Sequence, residues 1–174
     1  RGLPVDRHYI ERFLSGYSAD IRGRVLEIKD DNYTIRYGRH RVTESDVLHK
    51  VPGNPKATIV ADLTSAPQIA DDTFDCIICT QTLQFIYEVR AAIGTLHRIL
   101  TPGGALLATV PGISQISRYD MDRWGDYWRF TTLSLSKLFA EVFDTRDITV
   151  HSYGNVLAAI SLLNPWMLAG GALA

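Results

Sequence analysis

A chain of 174 residues with 46% hydrophobic and 21% charged side chains has the material for one domain with a substantial core, and its composition is not that of a disordered segment. A formal net charge of -1 supplies no basic field for nucleic acid, so a polyanionic partner is not expected.

The two cysteines, Cys76 and Cys79, spell C-x-x-C inside the apolar run FDCIIC. Read as a strand, that run sends them to opposite faces about 10 Å apart at roughly 3.3 Å per residue, beyond the reach of a disulfide. They are expected as buried thiols. Reduced cysteines without a secretory signal point to a cytoplasmic setting, and the absence of an initial Met to loss of an upstream segment.

Along the chain, residues 6–17 (DRHYIERFLSGY) place Tyr9, Ile10, Phe13 and Leu14 on one helical stripe, with Asp6 as N-cap and Gly16 as stop. This predicts a lead-in helix within residues 1–23, followed by a first strand over 24–28 (RVLEI). Residues 41–44 and 47–48 bracket a second extended piece, and VPGNPK at 51–56 is punctuated as a loop. ATIVA at 57–61 is a third strand, of the continuous apolar kind buried on both faces of a parallel sheet. Residues 74–79 form a fourth strand, and 83–100 a long helix with Leu83, Ile86, Ile93, Leu96 and Ile99 on its apolar face. TPGG stops that helix ahead of a fifth strand, ALLATV, at 105–110. Residues 111–130 are a long loop loaded with aromatics, and such loops in compact domains are usually functional or partly structured. A helix over 133–143, capped by Thr131 or Thr132, and a sixth strand over 148–153 complete the pattern. Residues 157–174 read as an apolar tail, broken by Asn164-Pro165 and Gly170-Gly171 and so unsuited to span a membrane.

Strands alternating with helices over short connections predict a single α/β domain, a doubly wound, mostly parallel Rossmann-like sheet. Ligands of such sheets sit beyond the carboxyl ends of the strands, where strand order reverses. The sequence places Glu27, Asp46, Asp62, Thr80-Gln81 and Pro111-Gly112 at those ends. An acid at the end of the second strand suits ribose hydroxyls, and one after the third suits an adenine amino group.

The ordered set VLEI, SDVL, ADL, FDCIICTQTLQFI and LTPGGALLATVPG resembles the class I S-adenosylmethionine-dependent methyltransferases, in the small-molecule branch called type 11, over residues 24–156. WRFT at 128–131 is similar to the substrate-side segment of some members. The resemblance implies S-adenosylmethionine as cofactor and methyl transfer to a small-molecule acceptor. Carried over by position, Glu27, Ile28 and Asp30 stand at the acidic start of the cofactor loop, and Asp46 and Val47 at the ribose. Asp62 and Leu63 fall at the adenine, Thr80 and Gln81 beside the methionine moiety. In-line transfer draws on proximity and orientation, so no base is obligatory and no catalytic residue is assigned.

The family loop reads acid-x-Gly-x-Gly-x-Gly, and here Lys29, Asp31 and Tyr33 fill the glycine positions. Freedom for positive φ is lost, and Asp31 is expected to repel the carboxylate of the methionine moiety. Gln84 stands where many relatives carry histidine. The terminal antiparallel strand with which the family closes its sheet is missing from the pattern. The alternative reading is therefore a non-catalytic methyltransferase-like domain with a scaffolding or dimerisation role. A nicotinamide-binding protein lacks support, because its glycine-rich first turn is absent. Tyr119, Trp124, Tyr127, Trp128 and Arg129 either cover the sheet end as a hydrophobic cluster or shape an acceptor pocket, with Arg129 paired to a substrate acid or inside the protein. The five histidines show no metal-ligand spacing, so no metal is predicted. No membrane partner is expected, and the sheet edge or apolar tail offers a route to a homo-oligomer.

Overall fold

The computed structural model describes residues 5–163. Strands β1 (Gly23–Ile28), β2 (Val42–His49), β3 (Ile59–Val60), β4 (Phe74–Thr80) and β5 (Leu100–Thr109) form one parallel sheet in the order β3-β2-β1-β4-β5. The chain fills one side of the sheet from β1 to β3, then crosses to the other side of β1 for β4 and β5. Strand order thus reverses between β1 and β4. The helices are α1 (Val5–Gly16), α2 (Val89–Ile99), α3 (Arg118–Trp124), α4 (Thr132–Phe139) and α5 (Val156–Leu163).

Alternation along the strands sorts their side chains into two cores. Leu26, Ile77 and Cys79 bury with Ala92, Ile93, Leu96 and Ile99 of α2, and Leu135, Leu138 and Phe139 of α4 pack at the margin. Val25, Cys76, Ile78 and Leu107 face the other way, onto Ile10 and Leu14 of α1. Helices therefore cover both faces, and the two cysteines lie in separate cores as free thiols. Burial pushes each thiol up to about 12.

The entry to β1 depends on Gly23, at φ +67. A Cβ there would lie 2.1 Å from the Asp75 carboxylate, which occupies that space and accepts the Arg24 N–H at 2.8 Å. Beside it, the β4–β5 register slips from Phe74 opposite Leu100 to Cys76 opposite Ala105. The intervening Pro102-Gly103-Gly104 bulges, with Gly103 at φ +78, so the Pro-Gly-Gly signal lies inside β5 and not ahead of it.

Several elements differ from expectation. The helix expected over 83–100 is reduced to a 3-10 turn, Leu83–Phe85, and α2. Ile86 between them is extended, and its carbonyl accepts the Trp128 indole N–H at 3.0 Å instead of a helical donor. Residues 148–153 join no strand, because the segment lies along α1, with His151 Nε2 2.7 Å from the Tyr17 hydroxyl and Tyr153 stacked on Tyr9. Asp6 sits in the first turn of α1, β2 is one continuous strand, β3 is only two residues long, and α4 stops at Phe139. Among the described residues no antiparallel strand closes the sheet; residues 164–174 of the expected tail lie outside them.

β1 delivers Glu27 into the protein, 2% exposed. Its carboxylate accepts the N–H of Tyr33 at 3.2 Å and both the N–H and hydroxyl of Thr34 at 2.7 and 2.8 Å. These groups open the π-helical turn Thr34–Gly38, so the end of β1 caps the connection to β2. Burial pushes Glu27 up to about 7, although the Thr34 and Tyr33 donors pull the other way.

Gly23→Ala is expected to lower the unfolding free energy by about 2 kcal/mol or more, measured by denaturant titration, since Asp75 must move and the φ is strained. For Glu27 the folded value near 7 exceeds the ordinary 4.5, so the folded state binds the proton more tightly. The resulting cost is absent below about pH 4.5, grows through the window and is complete above about pH 7. Wild type should lose on the order of 3 kcal/mol more than Glu27→Gln across that window, and parallel pH profiles would refute the assignment.

Candidate active site

At the reversal point the ends of β1 and β4 are neighbours, with Glu27 opposite Ile78. Beyond Glu27, Ile28 is half-buried and Lys29 turns the chain at φ +82. That left-handed conformation costs a non-glycine residue roughly 1–2 kcal/mol. It is kept because Lys29 N–H donates to Leu48 O at 2.9 Å while its carbonyl accepts from Asn54 Nδ2 at 2.6 Å. Asp30 accepts the Asn32 N–H at 2.9 Å, an Asx turn. Asp31 pairs with Lys56 at 2.5 Å, so the charge expected to repel an anionic ligand is countered from the loop after β2. The first glycine position thus keeps a glycine's backbone path, whereas Asp31 and Tyr33 fill the other two without positive φ.

β2 runs three residues past Asp46, which therefore lies within the strand, opposite Leu26, and not at its end. The Asp46 carboxylate accepts from Arg24 Nε and Nη2 at 2.9 and 2.8 Å and from the Thr58 hydroxyl at 2.7 Å. Asp46 and buried Val47 fasten β2 to its neighbours, and the residues at the strand end are His49 and Lys50. Carrying the apolar run through Val47-Leu48 would have found them. Lys50 reaches Asp62 at 3.0 Å. Asp62 also accepts the N–H and hydroxyl of Thr64, both at 2.9 Å. Partial burial works to raise its pKa, but the Thr64 groups and Lys50 outweigh it and hold the carboxyl below the usual range. Leu63 is buried beside it.

At the end of β4, Thr80 is half-buried and Gln81 takes φ +47, its N–H donating to Thr109 O at 2.8 Å. Gln84 is 4% exposed, with Nε2 3.4 Å from Gln81 Oε1. The loop over 111–130 crosses these ends and contains α3, capped by the Ser117 hydroxyl and ended by Gly125 at φ +85. Trp124 meets His49 edge-on at 5.7 Å, which carries the loop across to β2. Returning, Tyr127 and Trp128 donate their N–H groups to Gln84 O at 2.9 and 3.3 Å. Trp128 stacks on Tyr87 at 5.9 Å, and Tyr127 meets Tyr87 edge-on at 5.4 Å.

Of the five aromatic-loop candidates, Trp124, Tyr127 and Trp128 are brought to the strand ends. Tyr119 is 65% exposed, under the Arg123 guanidinium at 3.5 Å. Arg129 forks onto Asp126 at 2.6 and 2.9 Å and donates to Gln115 O at 3.0 Å, so it ties the two arms of the loop together. That pairing holds Asp126 below the usual carboxylate range. A groove of about 1800 Å³ follows the outer edge of β5 and reaches the strand ends at Gln81 and Pro111-Gly112, without touching Glu27, Asp46 or Asp62. Among the described residues there is no group of three His, Cys, Asp or Glu side chains able to hold a metal, and no helix long and apolar enough to cross a membrane.

A family model described as a methyltransferase domain matches residues 12–108. A S-adenosylmethionine-dependent methyltransferase from Archaeoglobus fulgidus superposes with a TM-score of 0.59 at 10% identity, over 95% of this chain and 88% of that one. The complex between the Haloferax volcanii Trm112 methyltransferase activator and a methyltransferase gives a TM-score of 0.57 at 13% identity, over 92% and 88%. Haemonchus contortus phosphoethanolamine N-methyltransferase 2, in complex with S-adenosylmethionine, gives 0.53 at 15% identity, over 70% and 33%. At such identities these structures speak for the fold alone. The reducing polyketide synthase AFT16-1 of Alternaria alternata is 42% identical over 53 residues, 30% of this chain, and the chain spans only 2% of that protein's length. The strand order, its reversal beside Glu27 and the match over residues 12–108 agree, and the chain belongs to the methyltransferase-domain family, type 11, of the class I S-adenosylmethionine-dependent methyltransferases.

Proposed function

We propose that this domain moves a methyl group from S-adenosylmethionine to a small-molecule acceptor at the carboxyl ends of β1, β2 and β4. The observation that carries the reading is Lys29 at φ +82, because a backbone path that glycine would follow freely is retained at the reversal point by a residue for which it is strained. S-adenosylmethionine, when bound, supplies an electrophilic methyl on a sulfonium. The residues present fit it. Ile28, Lys29 and Asp30 bound the space beyond β1, with Glu27 fixing the turn from within. His49 and Lys50 are offered to the ribose in place of Asp46, which acts from inside the strand through Arg24. Asp62, held ionised, accepts from the adenine amino group while Leu63 backs the ring, and Thr80 and Gln81 border the methionine end. Trp124, Tyr127 and Trp128 exclude water above them.

The buried, reduced cysteines support a cytoplasmic setting. A non-catalytic domain is the second reading, favoured by the side chains of Asp31 and Tyr33 at glycine positions.

Calorimetric titration with S-adenosylmethionine and S-adenosylhomocysteine at millimolar concentration should give saturable heat, weakened about tenfold by Asp62→Ala through loss of one charged acceptor. No heat with either would favour the non-catalytic domain. Lys29→Gly is expected to leave stability within about 1 kcal/mol while tightening S-adenosylhomocysteine severalfold, whereas Lys29→Val should cost about 2 kcal/mol in a denaturant titration. Equal effects of the two substitutions would remove the argument from strain.

A further inference from the structure

The edge of a sheet is a template for a further strand, because a row of main-chain N–H and C=O groups is left there without a partner. β5 is such an edge. Its register fixes which groups are spent: Thr109 lies opposite Thr80, and its carbonyl accepts the Gln81 N–H at 2.8 Å. In a parallel ladder alternate residues turn both main-chain groups to the same side. Leu106 and Ala108 therefore turn theirs outward, and both line the groove of about 1800 Å³. Residues 148–153 line the same groove. They show a strand's alternation, Ile148 and Val150 half-buried between exposed Thr149 and His151, yet among the described residues their main chain makes no hydrogen bond. Side chains hold them instead, His151 on Tyr17 and Tyr153 on Tyr9. Two unpaired main-chain rows thus border one groove.

The lining states what could lie between them. Apolar side chains come from α1, α4 and α5, among them Phe13, Leu135, Phe139 and Leu162. Charge is one-sided: Asp20, Asp72 and Asp147, just ahead of β1, β4 and residue 148, have no ion pair among the described residues. Arg98, the one Lys or Arg among the described lining residues, is engaged by Asp71 at 2.7 Å. Toward the strand ends Gln81, Thr131 and Thr132 are polar and uncharged.

We propose that this groove is the docking site for an extended segment of a partner polypeptide, apolar along its length and tipped with Lys or Arg at the end over Asp20, Asp72 and Asp147. The segment's main chain pairs with Leu106 and Ala108 on one side and residues 148–153 on the other, while its side chains alternate between the helical walls. Neither β5 nor residues 148–153 of a second copy carries Lys or Arg, nor does the sequence of 164–174, so the occupant is a different polypeptide.

The probe is a labelled, end-blocked nine-residue peptide of alternating valine and threonine whose last two residues are lysine. Titrated into the full chain, it should bind saturably and slow amide exchange about tenfold or more at Leu106, Ala108 and residues 148–153, read by NMR. The same peptide with alternate amides N-methylated keeps its side chains but loses the ladder, and should bind at least about tenfold more weakly. Glutamates in place of the lysines should also cost about tenfold, a difference that shrinks at high salt. Ala108→Pro removes only an outward N–H at an edge position that tolerates proline, so it should abolish the protection while melting close to wild type. Asp72→Asn combined with Asp147→Asn should erase the preference for lysine. No exchange protection by the lysine peptide, or equal binding of its N-methylated form, would overturn the site; that comparison leaves the protein unaltered and decides even if Ala108→Pro unfolds. Equal binding of the glutamate peptide would overturn the basic tip, and tighter binding of a peptide with the sequence of 164–174 would overturn the partner. None of these readouts involves S-adenosylmethionine, so they stand or fall apart from the cofactor reading.

Discussion

The carboxylate of Glu27 is the contact on which the strand-end architecture depends. A charged group at 2% exposure is tolerated only because three donors from Tyr33 and Thr34 converge on it, and two of them, the backbone N–H groups, are ones a helical turn leaves unsatisfied at its start. One side chain thereby joins the end of β1 to the start of the connection leading into β2. The connection is short, and the turn Thr34–Gly38 would have nothing to hold its first N–H groups without it. Because Glu27 faces inward, the surface beyond β1 is formed by the backbone of Lys29 and the loop that follows.

That loop is braced from the side. Asn54 holds the carbonyl of Lys29 and Lys56 neutralises Asp31, so the connection after β2 supports the connection after β1. On the other flank, Lys50 and Thr64 hold Asp62. The same economy appears in the aromatic loop, where Arg129 with Asp126 closes the base and Trp124 touches His49 at the far end.

Much of the fold was legible in one dimension. The apolar runs RVLEI and FDCIIC assigned both strands, and a spacing of three between Cys76 and Cys79 sufficed to place them on opposite faces, because a strand's period of two does not depend on its neighbours. The break in the helix after β4 was not legible. Residues 83–100 have helical periodicity, and what interrupts them is the Trp128 indole, which takes the Ile86 carbonyl across 42 positions of sequence. The expected strand over 148–153 failed for a similar reason: its residues suit a strand, but Tyr9 of α1 and Tyr17 just beyond it engage it.

The sequence by itself determined the two-faced sheet, its family and the position of Asp62 after β3, since hydrophobic period and turn residues act locally. Only the tertiary structure decided what each polar group does. Asp46 looked like a strand-end acid until β2 was seen to run on to His49 and Arg24 to claim its carboxylate. Arg129 was open to a substrate or to the protein until Asp126 was found beside it. Gln84 was only a replaced histidine until its buried oxygen proved to be without a donor. The physical reason is common to all three. A polar side chain's role is set by which partners reach it within about 3 Å, and those partners are assembled by packing across the chain rather than by order along it.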